Sequence, residues 1–128
     1  PSLHGRGRWP VMADAVVGCP PDIMGIGPAV AIPVALEKAG LGIMDIDIYE
    51  INEAFAMVAM MPMIDLGIPH EKVNIHGGAC ALGHPVGSSG SRIILTLIHA
   101  LKRTGGKRGV ASLCIGGGEA TAVAVELV

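Results

Sequence analysis

Aromatic side chains are nearly missing from this 128-residue chain: Trp9, Tyr49 and Phe55 are all it has. A core without large rings must be assembled from Ala, Val, Ile, Leu and Met, small and branched side chains that suit helices packed tightly on a sheet. Cysteine is scarce too. Cys19, Cys80 and Cys114 are an odd number with no CxxC spacing, which argues against a disulfide framework or a zinc site and points to a reducing compartment. No apolar run approaches the ~18 residues of a membrane span. No secretory h-region follows the start Pro1–Arg8, and without an initiator Met that start reads as a cut end. The net charge is −2 and neither sign is clustered, so the basic footprint of a nucleic-acid binder is missing. There is no Gly-x-x-x-x-Gly-Lys-Ser/Thr loop for nucleotide phosphates. Ile115–Gly118 leads into a strand pattern instead of a helix, so it is not a dinucleotide fingerprint. His70, His76, His84 and His99 contain no helical i,i+4 metal pair, and His99 is expected to face solvent. At this length the chain is one domain at most. Its mean hydropathy of +0.58 is high for a small soluble domain and suggests a buried subunit interface.

Glycine, in contrast, is concentrated. Residues 74–92 carry Gly77, Gly78, Gly83, Gly87 and Gly90, together with His76, His84, Cys80 and Pro85. A β-like piece, Lys72–Ile75, precedes this stretch. An apolar helical pattern, Ile93–Leu101, follows it. A glycine-rich loop between a strand and a helix lets backbone approach a ligand closely and offers free N–H groups to an anion or a developing oxyanion. His84 lies inside that loop, fixed by Pro85 after it.

Taken in order, residues 1–10 are polar, basic, glycine-rich and expected to be mobile. Met12–Val17 reads as a short strand stopped by Cys19-Pro20-Pro21-Asp22. Met24–Pro28 reads as a loop. A helix from Pro28 to about Lys38 ends at Ala39–Gly42, with Pro33 expected to delay or bend it. Asp45–Ile51 alternates as a strand. An apolar helix runs from the Asn52–Phe55 segment to about Leu66, and Pro62 is expected to kink it. Ser88 or Ser89 is a candidate cap for the long helix, which Gly105-Gly106 ends after the dipole-matching Lys102 and Arg103. Gly109–Ile115 and Ala120–Val128 are strands joined by the Gly116–Gly118 turn, an antiparallel hairpin. The order β-α-β-α-β-α-β-β predicts an α/β layer with a mixed sheet.

Three polar residues fall at strand C-terminal ends or in the loops after them, where open α/β sheets bind ligands. Asn52 is an N-cap or a site amide. His84 is a structural loop histidine or a base and oxyanion donor. Cys114 is a small buried hydrophobe or a proton-transferring thiol beside the N–H groups of the glycine turn. On one sheet edge they make a candidate acyl-transfer site.

These residues carry a resemblance. Asn52-Glu53-Ala54-Phe55-Ala56, Gly77-Gly78-Ala79 with Ala81-Leu82-Gly83-His84-Pro85, Gly87, Ser89-Gly90 and Arg92, and Cys114-Ile115-Gly116-Gly117-Gly118 resemble the C-terminal signature blocks of the thiolases, the acetyl-CoA acetyltransferases and 3-ketoacyl-CoA thiolases. The likeness spans about Ile23–Val128. It implies a thiolase-like C-terminal half-domain over 23–128, with 1–22 a poorly matching, mobile segment carrying one short strand. By motif, Asn52 is expected to hold a water in an oxyanion hole. His84 would activate the nucleophilic thiol and complete that hole. Cys114 would move the proton on and off the substrate α-carbon or the departing thiol, and the Gly116 N–H would serve a second oxyanion hole. The reaction implied is acyl transfer between CoA thioesters, with CoA and acyl-CoA as substrates and no metal or prosthetic group as cofactor. The family further implies a dimer or tetramer, with a cytoplasmic location and mitochondrial or peroxisomal ones left open.

The departures are informative. In thiolases the nucleophilic cysteine comes from an N-terminal half-domain that this sequence lacks, along with the first strand and helix of the C-terminal half. Cys80 and Cys19 are not suitable stand-ins. Glu119-Ala120 replaces a usual Met-Gly or Gln-Gly, Pro33 and Pro62 sit in helices, and Ser91 precedes Arg92. The isolated chain is therefore expected to be inactive, and the alternative reading is a non-catalytic thiolase-like binding or assembly module.

Overall fold

Alternating residues become a four-stranded sheet in a computed structural model that describes residues 9–128. The strands are β1 (Val11–Gly18), β2 (Ile48–Ile51), β3 (Arg108–Ile115) and β4 (Glu119–Glu126). Their order across the sheet is β1-β4-β3-β2. β3 and β4 form the expected antiparallel hairpin, with Cys114 opposite Ala120. β1 pairs antiparallel with β4, and β2 parallel with β3, so the sheet is mixed as expected. The parallel pair needs a long crossover, and three helices supply it: α2 (Ala56–Leu66), α3 (Ala79–Leu82) and α4 (Ser89–Thr104). α1 (Gly27–Ala39) lies between β1 and β2.

Each face of the sheet has its own core. On one, Ala31, Ile32 and Ala35 of α1 meet Ala120, Ala122 and Ala124 of β4 and Ala15 of β1, with Val58 and Ala59 of α2 alongside. On the other, Ile93, Leu97 and Leu101 of α4 cover Ile48, Ala111 and Val125. α4 is amphipathic, and this apolar stripe is its inward side. The methionines do not take the core role expected of them: none is fully buried, and Met44, Met57 and Met60 are exposed.

Several expectations need correction. Lys72–Ile75 is not a strand. His70–Lys72 is a 3-10 turn, Asn74 has a positive φ of 49°, and only Val73 reaches the sheet, through a single bridge to Tyr49. Asp45 belongs to another 3-10 turn, so β2 starts only at Ile48. Met24–Ile26 lies in a 3-10 turn, Pro21–Ile26. α1 and α2 run through Pro33 and Pro62 without a break. The lost N–H bond costs roughly 3 kcal/mol in an open helix, but both prolines sit where neighbouring side chains hold the helix against the core, and Pro62 is itself buried. The expected mobility of the start concerns residues 1–8, which lie outside the described residues, and 9–10, which lead into β1.

Candidate active site at the ends of β2 and β3

The site begins where β2 stops. The Asn52 N–H donates to the Ser112 carbonyl (2.9 Å), one residue beyond the parallel ladder. Among the described residues no further strand covers the open edge of Ile51. The Asn74 side chain does so instead: its Oδ1 accepts from the Ile51 N–H and its Nδ2 donates to the Ile51 carbonyl, both at 2.8 Å. The same Nδ2 donates to Glu53 Oε1 (2.9 Å), and Glu53 Oε2 accepts the Cys80 N–H (2.9 Å) at the start of α3. One carboxamide and one carboxylate thus fasten the glycine-rich loop to the end of β2. Gly78 makes this possible, since a Cβ there would collide with the Glu53 carboxylate. Burial pushes the Glu53 carboxyl up, but the Cys80 N–H, the Asn74 amide and the Arg92 charge outweigh it and hold it below its usual range.

α3 ends at Gly83, whose φ of 91° a side-chain-bearing residue rarely adopts. The turn presents His84 and Pro85 to the first turn of α4. There the Pro85 carbonyl accepts the N–H groups of Ser88 (2.8 Å) and Ser89 (3.0 Å). Neither serine caps α4 through its side chain, contrary to expectation. The Ser89 hydroxyl donates to the Pro85 carbonyl (3.2 Å) and lies 2.6 Å from His84 Nδ1. This arrangement is consistent with Nδ1–H donating to the serine oxygen, which would leave the lone pair on Nε2.

Nε2 faces Asn52 Nδ2 at 3.5 Å. Asn52 is fully buried and does not cap α2, whose N-cap is Phe55. Its Oδ1 accepts from Arg92 Nη2 (3.3 Å). Arg92 also faces the buried Glu50, with Nη1 3.9 Å from Oε2. Burial raises the Glu50 carboxyl to about 7, against the pull of Arg92 and with a further push from Glu53.

In front of this network lies a cleft of about 450 Å³. His84, Ser89, Cys114 and Gly116 line it, with Met24, Phe55, Val86 and Leu113 as apolar walls. The structure therefore brings His84, Cys114 and Gly116 to one space, with Asn52 behind His84. Cys114 is buried, and burial is the main reason its thiol titrates above its usual range, with Cys19 adding to the shift. It is a thiol at neutral pH, suited to giving a proton. Cys80 is exposed and points to Glu53, which raises its thiol in turn, so it lacks the electropositive setting of a nucleophile. Among the described residues no group of three or more His, Cys, Asp or Glu side chains could hold a metal, and no helix is long and apolar enough to cross a membrane.

Sequence reasoning placed Ser89 and Arg92 in the glycine-rich motif without giving them a site role, and missed Glu50 and Asn74. Ser89 was masked by its place at a helix start. Glu50 did carry a signal, a charge at an inward position of an otherwise apolar alternation.

Known proteins resemble this chain in sequence and fold. The family described as thiolase, C-terminal domain, matches residues 10–127, which takes in β1. The chain is 61% identical over 113 residues to the peroxisomal 3-ketoacyl-CoA thiolase B of Rattus norvegicus, covering 88% of this chain and 27% of the rat protein. It is 53% identical over 116 residues to the cytosolic acetyl-CoA acetyltransferase of the same species, covering 91% of this chain and 29% of that one. The crystal structure of human mitochondrial 3-ketoacyl-CoA thiolase in complex with CoA superposes with a TM-score of 0.89 at 50% identity, over 92% of this chain and 30% of the human one. The chain thus spans under a third of the length of these relatives. With its mixed sheet, its loop histidine and its strand-end cysteine in the matched region, this chain belongs to the thiolase family, as a C-terminal thiolase domain.

Proposed function

We propose that this chain is the C-terminal catalytic portion of a thiolase that transfers acyl groups between CoA thioesters, by thiolysis of a 3-ketoacyl-CoA or by Claisen condensation of acetyl-CoA. The observation that carries the reading is the convergence of His84, Cys114 and Gly116 on one cleft, with the His84 ring anchored through Nδ1 to the Ser89 hydroxyl. In this scheme a cysteine thiol from elsewhere in the enzyme is the nucleophile. His84 takes its proton, and the thiolate attacks the acyl carbonyl. Asn52 and the protonated His84 then stabilise the oxyanion of one thioester through a water held on the amide. The buried Cys114 thiol gives its proton to the departing carbanion or CoA thiolate, and the thiolate so formed then takes the proton of the incoming CoA thiol or, in the condensing direction, the α-proton of the second acetyl-CoA. The Gly116 N–H faces the oxygen of the second thioester. Each step moves a proton between named groups, and no metal or prosthetic group takes part; CoA is a substrate. The human relative solved with CoA supports that substrate class.

We further propose that the complete enzyme is a dimer or tetramer and works in the cytoplasm, the compartment named for one of the matched relatives. The exposed apolar side chains Met57, Met60 and Ile64 of α2 support association. The test is direct. The chain is joined to the N-terminal portion of the rat 3-ketoacyl-CoA thiolase and assayed with acetoacetyl-CoA and CoA. The completed chain turns over and the isolated 128-residue chain does not. A folded completed chain without turnover contradicts the catalytic reading and supports a binding module.

A further inference from the structure

We infer that the buried pair Glu50–Arg92 is a positioning device that decides which end of the Asn52 carboxamide faces His84 and the reacting groups. The inference rests on the acyl-transfer reading only for why that orientation matters; the orientation itself stands on geometry.

A carboxamide is nearly symmetrical in shape, so packing alone does not choose between its two flips. Hydrogen-bond partners do. Arg92 Nη2 lies 3.3 Å from Asn52 Oδ1. A guanidinium only donates, so the reversed flip would set the Asn52 NH2 against it, donor to donor, at a fully buried carboxamide. Arg92 therefore holds Oδ1 inward and leaves Nδ2 pointing at His84 Nε2, 3.5 Å away. Arg92 is itself held from the other side. Glu50, 0% exposed at an inward position of β2, faces Nη1 at 3.9 Å. Neither Glu50 oxygen has a hydrogen-bond partner, and Nη1 and Nε of Arg92 are likewise unpartnered. A merely structural ion pair would be expected to close those bonds, since buried charges without them are costly. Here the guanidinium reaches for Asn52 instead.

The consequence is chemical. An outward Nδ2 donates to an oxyanion or to a water that solvates one. An outward Oδ1 would repel both.

The test uses three variants and two readouts. Asn52 and Asn74 are the only carboxamide side chains in the sequence, since it contains no glutamine. The side-chain NH2 spectrum of the 128-residue chain therefore holds two signal pairs, and Asn74, on its own partners Ile51 and Glu53, is the internal control. Arg92→Lys keeps the charge but not the fork. Arg92→Met strands Glu50. Arg92→Met with Glu50→Met removes the stranded carboxylate without adding a carboxamide and restores stability. In Arg92→Lys and in the double variant the Asn52 NH2 pair shifts and exchanges faster while the Asn74 pair stays in place. In the completed enzyme kcat falls about 10²- to 10³-fold with KM little changed, the size of effect that goes with losing one oxyanion donor. Unmoved Asn52 signals in a folded double variant overturn the inference. So does a rate that returns to the unmutated value along with stability. A completed chain that is inactive before any substitution refutes the proposed function but leaves the amide signals to decide this inference.

Discussion

The two faces of the sheet are built from opposite materials. Where α1 crosses β4 the first face is a close fit of alanines, Ala31 and Ala35 against Ala120, Ala122 and Ala124, flanked by larger residues such as Ile32 and Val110 and by Ser112, whose hydroxyl donates to the Thr121 carbonyl (2.7 Å). The α4 face has larger side chains, Ile93, Leu97 and Leu101, and towards the strand ends it also buries Glu50 against Arg92. The first face serves proximity and lets α1 lie almost on the strands. The second face carries charge inward and spends part of its stability on directing a polar group. Cys114 comes to the cleft from the first face, and His84 and Ser89 from the second. The candidate site is where these two ways of packing meet.

This contrast can be broken in several ways. The largest effect is expected from His84→Ala in the completed chain. Losing a general base costs about 10²- to 10⁴-fold in rate, and because His84 is exposed, thermal melting is expected to move little. A rate within twofold of the unmutated protein would remove His84 from the chemistry. Next comes the α4 face. Leu97→Ala leaves a hole beside Gly109 and is expected to cost about 2–5 kcal/mol in urea unfolding.

The charge on the same face predicts a pH dependence. The Glu50 carboxyl titrates near 7 when folded against 4.5 unfolded, chiefly because it is buried. Between those values the folded chain keeps a proton that the unfolded chain has released. Stability from this group is therefore intact below the unfolded value and is lost as pH rises towards 7, by about 3 kcal/mol in all. Glu50→Gln should flatten that slope, and a slope unchanged in the variant would show that another group causes it. The smallest effect is expected on the alanine face, where Ala122→Leu overfills the contact with α1 and costs about 1–3 kcal/mol. Little change there would mean that α1 moves away freely and that the alanines are not a fitted surface.

The sequence foretold one face and one part of the site better than the other. The β3–β4 hairpin was readable because two alternating runs flank Gly116–Gly118 and pair with each other at once. Lys72–Ile75 looked equally strand-like, yet only Val73 finds a partner. Local alternation says which residues can face a sheet, not whether a neighbouring strand is present. α3 was invisible, a single turn of Ala79–Leu82 between glycines. His84, Cys114 and Gly116 were legible because their chemistry sits in short contiguous motifs. Arg92 stands in such a motif too, but its pairing with Asn52 was not legible, because it spans 40 residues of sequence and nothing local announces it. Ser89 was misread because a serine at a helix start has two equally ordinary uses, a cap or a partner for a nearby ring.

The central claim is that this chain holds the base, the acid and the oxyanion donors of an acyl-transfer site but not its nucleophile. Mass spectrometry of the completed chain, quenched after mixing with acetyl-CoA, tests it most directly. The acetyl group should be found on a cysteine of the supplied N-terminal portion, with Cys19, Cys80 and Cys114 unmodified. Acetyl on Cys80 or Cys114, lost when that residue is changed to alanine, would contradict the account.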